Sequence, residues 1–117
     1  MAKKNAVCII KSNPFSWKTF EALRQAVGMA MDHNVSVVFI KDGVFALTNW
    51  HPEMIGVPSF DKSIEALAML GGKIYVDKNC LDDRGIVKLK DFGVEIFTKS
   101  EEEVCKLIKS AEVVLIW

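Results

Sequence analysis

Apolar residues follow two rhythms along the chain. Residues 6–10 and 35–40 are short runs rich in valine and isoleucine, broken only by Ser36, which is how a strand reads when both of its faces are covered. Between them Phe20, Leu23, Val27 and Met31 recur at helical spacing behind Ser16, a suitable N-cap; that helix is expected to end near Asp32-His33-Asn34. Lys41-Asp42-Gly43 stops the second strand and leads into a short helical stretch over 44–48. Phe60, Ile64, Leu67, Met69 and Leu70 mark a further amphipathic helix, halted by Gly71-Gly72, where glycine accepts a left-handed cap. Three more strands fall over 73–76, 94–97 and 113–117. Ser100-Glu101-Glu102-Glu103 is a capping-box pattern, and Val104, Leu107 and Ile108 give the last helix its buried face.

Strands that alternate with helices at this spacing predict right-handed βαβ units, hence an α/β fold with a mostly parallel five-stranded sheet and helices on both faces. The 117 residues fit one domain, 1–117, able to bury roughly two-thirds of its unfolded surface. Segment 49–59 stands apart, because Trp50, His51, Met54 and Ile55 sit in it among Pro52, Gly56 and Pro58. So much apolar surface is not left in water, and the segment is expected to lie over a cleft or in a subunit contact.

Half of the residues are hydrophobic, and 15 basic side chains balance 15 acidic ones. A neutral chain has no net field to draw nucleic acid or an anionic membrane, and near its pI it tends to self-associate. No apolar run approaches the roughly 18 residues of a membrane span, and the first run is too short for a signal peptide, so a cytoplasmic location is expected. Cys8, Cys80 and Cys105 are odd in number and lack C-x-x-C spacing; reduced thiols are expected, with neither a disulfide framework nor a metal site. Cys8 and Cys105 read as small core residues.

In an open α/β sheet, ligands bind beyond the carboxyl ends of the strands, which singles out loops 11–16, 41–43 and 77–85. The first has neither the glycines of a dinucleotide fingerprint nor the G-K-[ST] of a phosphate loop, so no nucleotide cofactor, and no other cofactor, is implied. Asp77 stands where a phosphoacceptor domain keeps its aspartate. Lys11, Ser12 and Asn13, however, offer no carboxylate for the magnesium such chemistry needs, and a turn or cap role is the alternative. Cys80 lies on the most heavily charged loop, near a helix start. Backbone amides and Lys78 or Arg84 favour a thiolate there, while Asp77, Asp82 and Asp83 oppose it. An ordinary loop cysteine is the other reading. His51 is either an acid or base near neutral pH or a plain loop residue ahead of a proline.

Three stretches carry a resemblance: Ser12-Asn13-Pro14-Phe15-Ser16 with Glu21-Ala22-Leu23-Arg24, then Phe39-Ile40-Lys41-Asp42-Gly43-Val44, then Asn79-Cys80-Leu81-Asp82-Asp83-Arg84-Gly85-Ile86. In order and spacing they resemble the DsrE-like family, small sulfur-relay proteins that include subunits of the tRNA-thiolation relay and of the dissimilatory sulfur-oxidation complex. The likeness covers nearly the whole chain. It implies a three-layer α/β/α, flavodoxin-like domain that forms homo-oligomers, or hetero-oligomers of similar subunits, commonly trimers or hexamers.

The resemblance also implies sulfur handling. In active members a cysteine in the loop after the third strand takes sulfane sulfur from a donor protein as a persulfide and passes it to an acceptor. Counting back from Arg84-Gly85, members with one loop cysteine place it where this chain has Asp77, and members with C-x-x-C place the second where this chain has Cys80. Two roles follow: a carrier using Cys80, supported by Lys78, Arg84, Asp77 and His51, or a non-carrier subunit that organises partners. A small-ligand module on the same fold is a third reading.

Overall fold

The computed structural model describes residues 3–117. Among them five strands form a wholly parallel sheet: β1 (Asn5–Ile10), β2 (Asn34–Phe39), β3 (Lys73–Asp77), β4 (Ile96–Lys99) and β5 (Val113–Ile116), in the order β4-β3-β2-β1-β5. The helices are α1 (Trp17–Ala30), α2 (Asp61–Met69), α3 (Lys78–Asp83) and α4 (Glu101–Ser110). The chain winds outward from β1 to β4, then crosses back through α4 and lays β5 against the other side of β1.

Alternation along the strands divides the core in two. Ala6, Cys8, Ile10, Val37, Phe39 and Val76 face α1 and α2, where Leu23, Ala26, Ile64 and Leu67 meet them. Val7, Ile9 and Val38 face the opposite way and pack under Val104 of α4. β1 is therefore covered on both faces, which accounts for its unbroken apolar sequence. Burial of a fully enclosed side chain such as Ile64 or Leu67 is worth about 1.5–3 kcal/mol relative to exposure. The three-layer α/β/α arrangement expected from the alternation of elements is the one adopted.

Boundaries differ in places, each for a physical reason. α1 ends at Ala30, and Met31 is exposed rather than on the buried face, because the chain must turn at once to bring the Asn34 N–H to the Lys4 carbonyl at 3.0 Å. β4 runs two residues later than the pattern suggests. Val94, counted as strand, packs on the core from an irregular stretch before it, a stretch tied down where the Lys90 N–H reaches the Leu47 carbonyl at 2.8 Å. Segment 49–59 is partly folded in: Pro52 and Val57 are buried, and Trp50 lies between Phe15 and Phe60, its ring 5.3 and 5.8 Å from theirs. Met54 and Ile55 stay exposed. Cys105 is likewise exposed and not a core residue; its neighbour Val104 takes the inward position, and one residue of helix turns Cys105 away from the sheet.

Candidate functional site

All strands run the same way, so the loops after β1, β2 and β3 gather at one edge of the sheet. There β3 passes directly into α3. Asp77, only 5% exposed, is the N-cap: its Oδ1 accepts the Cys80 backbone N–H at 3.2 Å, satisfying one of the orphan donors of a helix start. Leu81 anchors α3 in the core. The helix closes on Gly85, whose φ of 66° is the left-handed value a Cβ resists. The Gly85 N–H bonds the Asp82 carbonyl at 3.1 Å and the Ile86 N–H bonds the Leu81 carbonyl at 3.0 Å, the paired closure of a Schellman motif. The sequence from Asp77 to Ile86 thus specifies a single six-residue helix capped at both ends, with Cys80 on its third residue.

Arg84 joins this turn to the loop after β2. Its Nε donates to Asp42 Oδ1 at 3.0 Å and its Nη1 to the Cys80 carbonyl at 3.3 Å. Asp42 is placed by a 3₁₀ helix, Lys41–Leu47, which folds back over the end of β1. At Gly43 a Cβ would fall on the Ile10 carbonyl, so only glycine permits the approach. Lys41 enters this turn with φ 50°, unusual for a side chain that is not glycine.

Of the residues singled out from the sequence, Asp77, Cys80 and Arg84 are brought together by hydrogen bonds. Lys78 instead pairs with Asp82 at 3.0 Å on the outer surface of α3. His51 lies ahead of the 3₁₀ helix Pro52–Ile55, with Nδ1 3.2 Å from Glu53 Oε1, both side chains largely exposed. Asp42 is the participant sequence reasoning missed; the signal available was a carboxylate in the loop after the second strand. The thiols differ sharply. Cys8 is fully enclosed and burial pushes its pKa up to about 11, Cys80 is half-buried against the main core, and Cys105 is open to solvent. Among the described residues no three His, Cys, Asp or Glu side chains stand close enough to hold a metal ion, and no helix is long and apolar enough to cross a membrane.

The sequence profile of the DsrE/DsrF-like family matches residues 4–116. The chain belongs to that family. This DsrE/DsrF-like chain is 30% identical over 105 residues to the intracellular sulfur oxidation protein DsrF of Allochromatium vinosum, an alignment spanning 85% of this chain and 76% of DsrF. Its fold is similar to that of the ychN protein of E. coli, with a TM-score of 0.78 at 21% identity over 99% of this chain and 100% of that one. A conserved protein of unknown function from Bacteroides thetaiotaomicron is also similar, with a TM-score of 0.69 at 11% identity over 97% and 95% of the two chains. Those two likenesses speak to the fold alone.

Proposed function

We propose that this DsrE/DsrF-like protein is a cytoplasmic sulfur-relay protein that carries a persulfide on Cys80 and hands the sulfur to a partner protein. The observation that carries the reading is the placement of Cys80: a partly open thiol on a doubly capped turn at the carboxyl edge of the sheet, its backbone held by Asp77 and Arg84. Family membership and the description of the Allochromatium vinosum relative as an intracellular sulfur oxidation protein support it. In the loading step the Cys80 thiolate attacks the outer sulfur of a donor persulfide. A new S–S bond forms on Cys80, the donor S–S bond breaks, and the donor leaves as a thiolate, with no net oxidation. Transfer onward repeats the exchange, with the acceptor thiolate attacking the outer sulfur on Cys80.

Intact-protein mass spectrometry after incubation with a cysteine desulfurase and cysteine tests this. Wild type is expected to gain one sulfur (about 32 Da) that reductant removes, and Cys80→Ser to gain none. No gain on wild type, or an equal gain in both, removes Cys80 as the carrier. A second reading, a subunit that organises partners without a covalent step, is favoured by Asp77, which occupies the usual carrier position and is engaged as a buried cap. Full pathway function of Cys80→Ser would select it.

A further inference from the structure

We propose that Asp42 is a positioning residue for Cys80: through Arg84 it tethers α3 to the fixed turn after β2, and so holds the Cys80 thiol half-shielded against the core. The proposal concerns how the thiol is presented; only its consequence for sulfur loading rests on the reading of Cys80 as the carrier.

α3 is held to the rest of the molecule by very little. Its six residues are too few for a helix to stand alone in water, and Leu81 is the one it buries. Asp77 caps it, Lys78 pairs with Asp82, and the Schellman bonds close it, but each of these bonds lies within residues 77–86. Among the described residues, the bond from Arg84 Nε to Asp42 Oδ1 is the only polar side-chain link between the α3 turn and another element. The turn thus sits on one apolar anchor and one ionic tether.

The two ends of the tether differ in firmness. Asp42 belongs to the 3₁₀ helix Lys41–Leu47, whose Val44, Ala46 and Leu47 are buried and whose Gly43 is seated on the Ile10 carbonyl. α3 lies against that helix. At the other end, the guanidinium that bonds Asp42 also bonds the Cys80 carbonyl, so the restraint acts on residue 80 itself. Without it, α3 is free to rock about Leu81, and the side chain whose surroundings then change is Cys80, which packs partly against the main core. The pair is open to water, the Arg84 and Asp42 side chains being 23% and 57% exposed. A partly exposed ion pair is weak and is screened by salt, so this one positions the turn in a way that can be loosened. Where Cys80 carries sulfur, the tether limits how readily a donor persulfide reaches it.

Alkylation by iodoacetamide, a neutral reagent, tests the tether on wild type and Asp42→Asn, with Cys80 and Cys105 followed in the same samples by peptide mass spectrometry. At about pH 10, above the ordinary thiol range, the rates report access more than ionisation. Asp42→Asn is expected to raise the Cys80 rate about two- to fivefold, the factor equivalent to the usual worth of an exposed ion pair, and to leave Cys105 unchanged. In wild type the Cys80 rate should climb with added salt, and in Asp42→Asn it should not. Equal Cys80 rates in the two proteins, a salt response that persists in Asp42→Asn, or an equal rise at Cys105 would overturn the proposal. If Asp42→Asn fails to fold, the wild-type salt series decides: a rise confined to Cys80 supports the tether, and a flat rate, or an equal rise at Cys105, refutes it. No sulfur enters the measurement, so a failure to load persulfide removes the carrier reading and leaves the tether standing, while unchanged alkylation does the reverse.

Discussion

Three thiols on one short chain meet three environments. Cys8 lies sealed within β1, and a thiolate there would lose its hydration, which is why its pKa is pushed up to about 11. The folded protein holds that proton to higher pH than the unfolded chain. The associated stability is therefore complete below the ordinary thiol pKa and is lost as pH rises toward 11. At mildly alkaline pH without denaturant, an alkylating reagent should label Cys105 and Cys80 and spare Cys8, read by peptide mass spectrometry; modification of Cys8 in the folded protein would contradict the packing of β1. Gly43→Ala presses a methyl group on the Ile10 carbonyl, and urea unfolding should find it less stable by about 1–3 kcal/mol or more, the scale of overpacking. An unchanged midpoint would mean that the turn has another way to close. The cap alternative for Asp77 could be read from sequence because a cap is local. The Asp42–Arg84 bond could not, since it joins residues 42 apart whose proximity depends on the placement of β2 beside β3.

Among the elements, helix starts were the most legible. Ser16 Oγ accepts the Lys18 N–H at 3.3 Å, and Ser100 forms the full capping box with Glu103, as the local patterns indicate. Glu103 accepts the Ser100 backbone N–H, and this bond first, then the Ser100 side chain, lowers its pKa. Its support of α4 is complete above the ordinary glutamate pKa and lost as pH falls through the lowered value. Ser100→Ala should cost about 1 kcal/mol, the usual worth of an N-cap, whereas Glu103→Gln, which removes the titrating carboxylate that accepts the Ser100 backbone N–H, should flatten the acid limb of the stability curve measured by thermal melts at stepped pH. A Glu103→Gln protein with the wild-type acid limb would show that this carboxylate contributes nothing in solution. β4 was misplaced by two residues because apolar side chains of an irregular, well-anchored stretch look like the start of a strand. The outward turn of Cys105 was misjudged for a related reason: in a helix with one central buried residue, Val104, composition does not identify the inward neighbour.

For the molecule as a whole, the class of fold was plain and the strand order was not. Alternating strands and helices fix parallel pairing, whereas the placement of β5 beside β1 instead of beyond β4 is a long-range pairing that no local pattern records. That placement has a kinetic side. β1 is the first strand of the sheet to be synthesised, yet its second edge is closed only by β5, through contacts such as the Asn5 N–H to the Glu112 carboxylate across 107 residues. Closing so long a loop is slow, and contacts of this separation delay the transition state. On the ribosome, β1 therefore waits as an apolar strand with one flank unsatisfied until almost all of the sheet has been made. The nascent chain is most vulnerable to mispairing in that interval, so the step that completes the sheet is also the one that ends its exposure to aggregation.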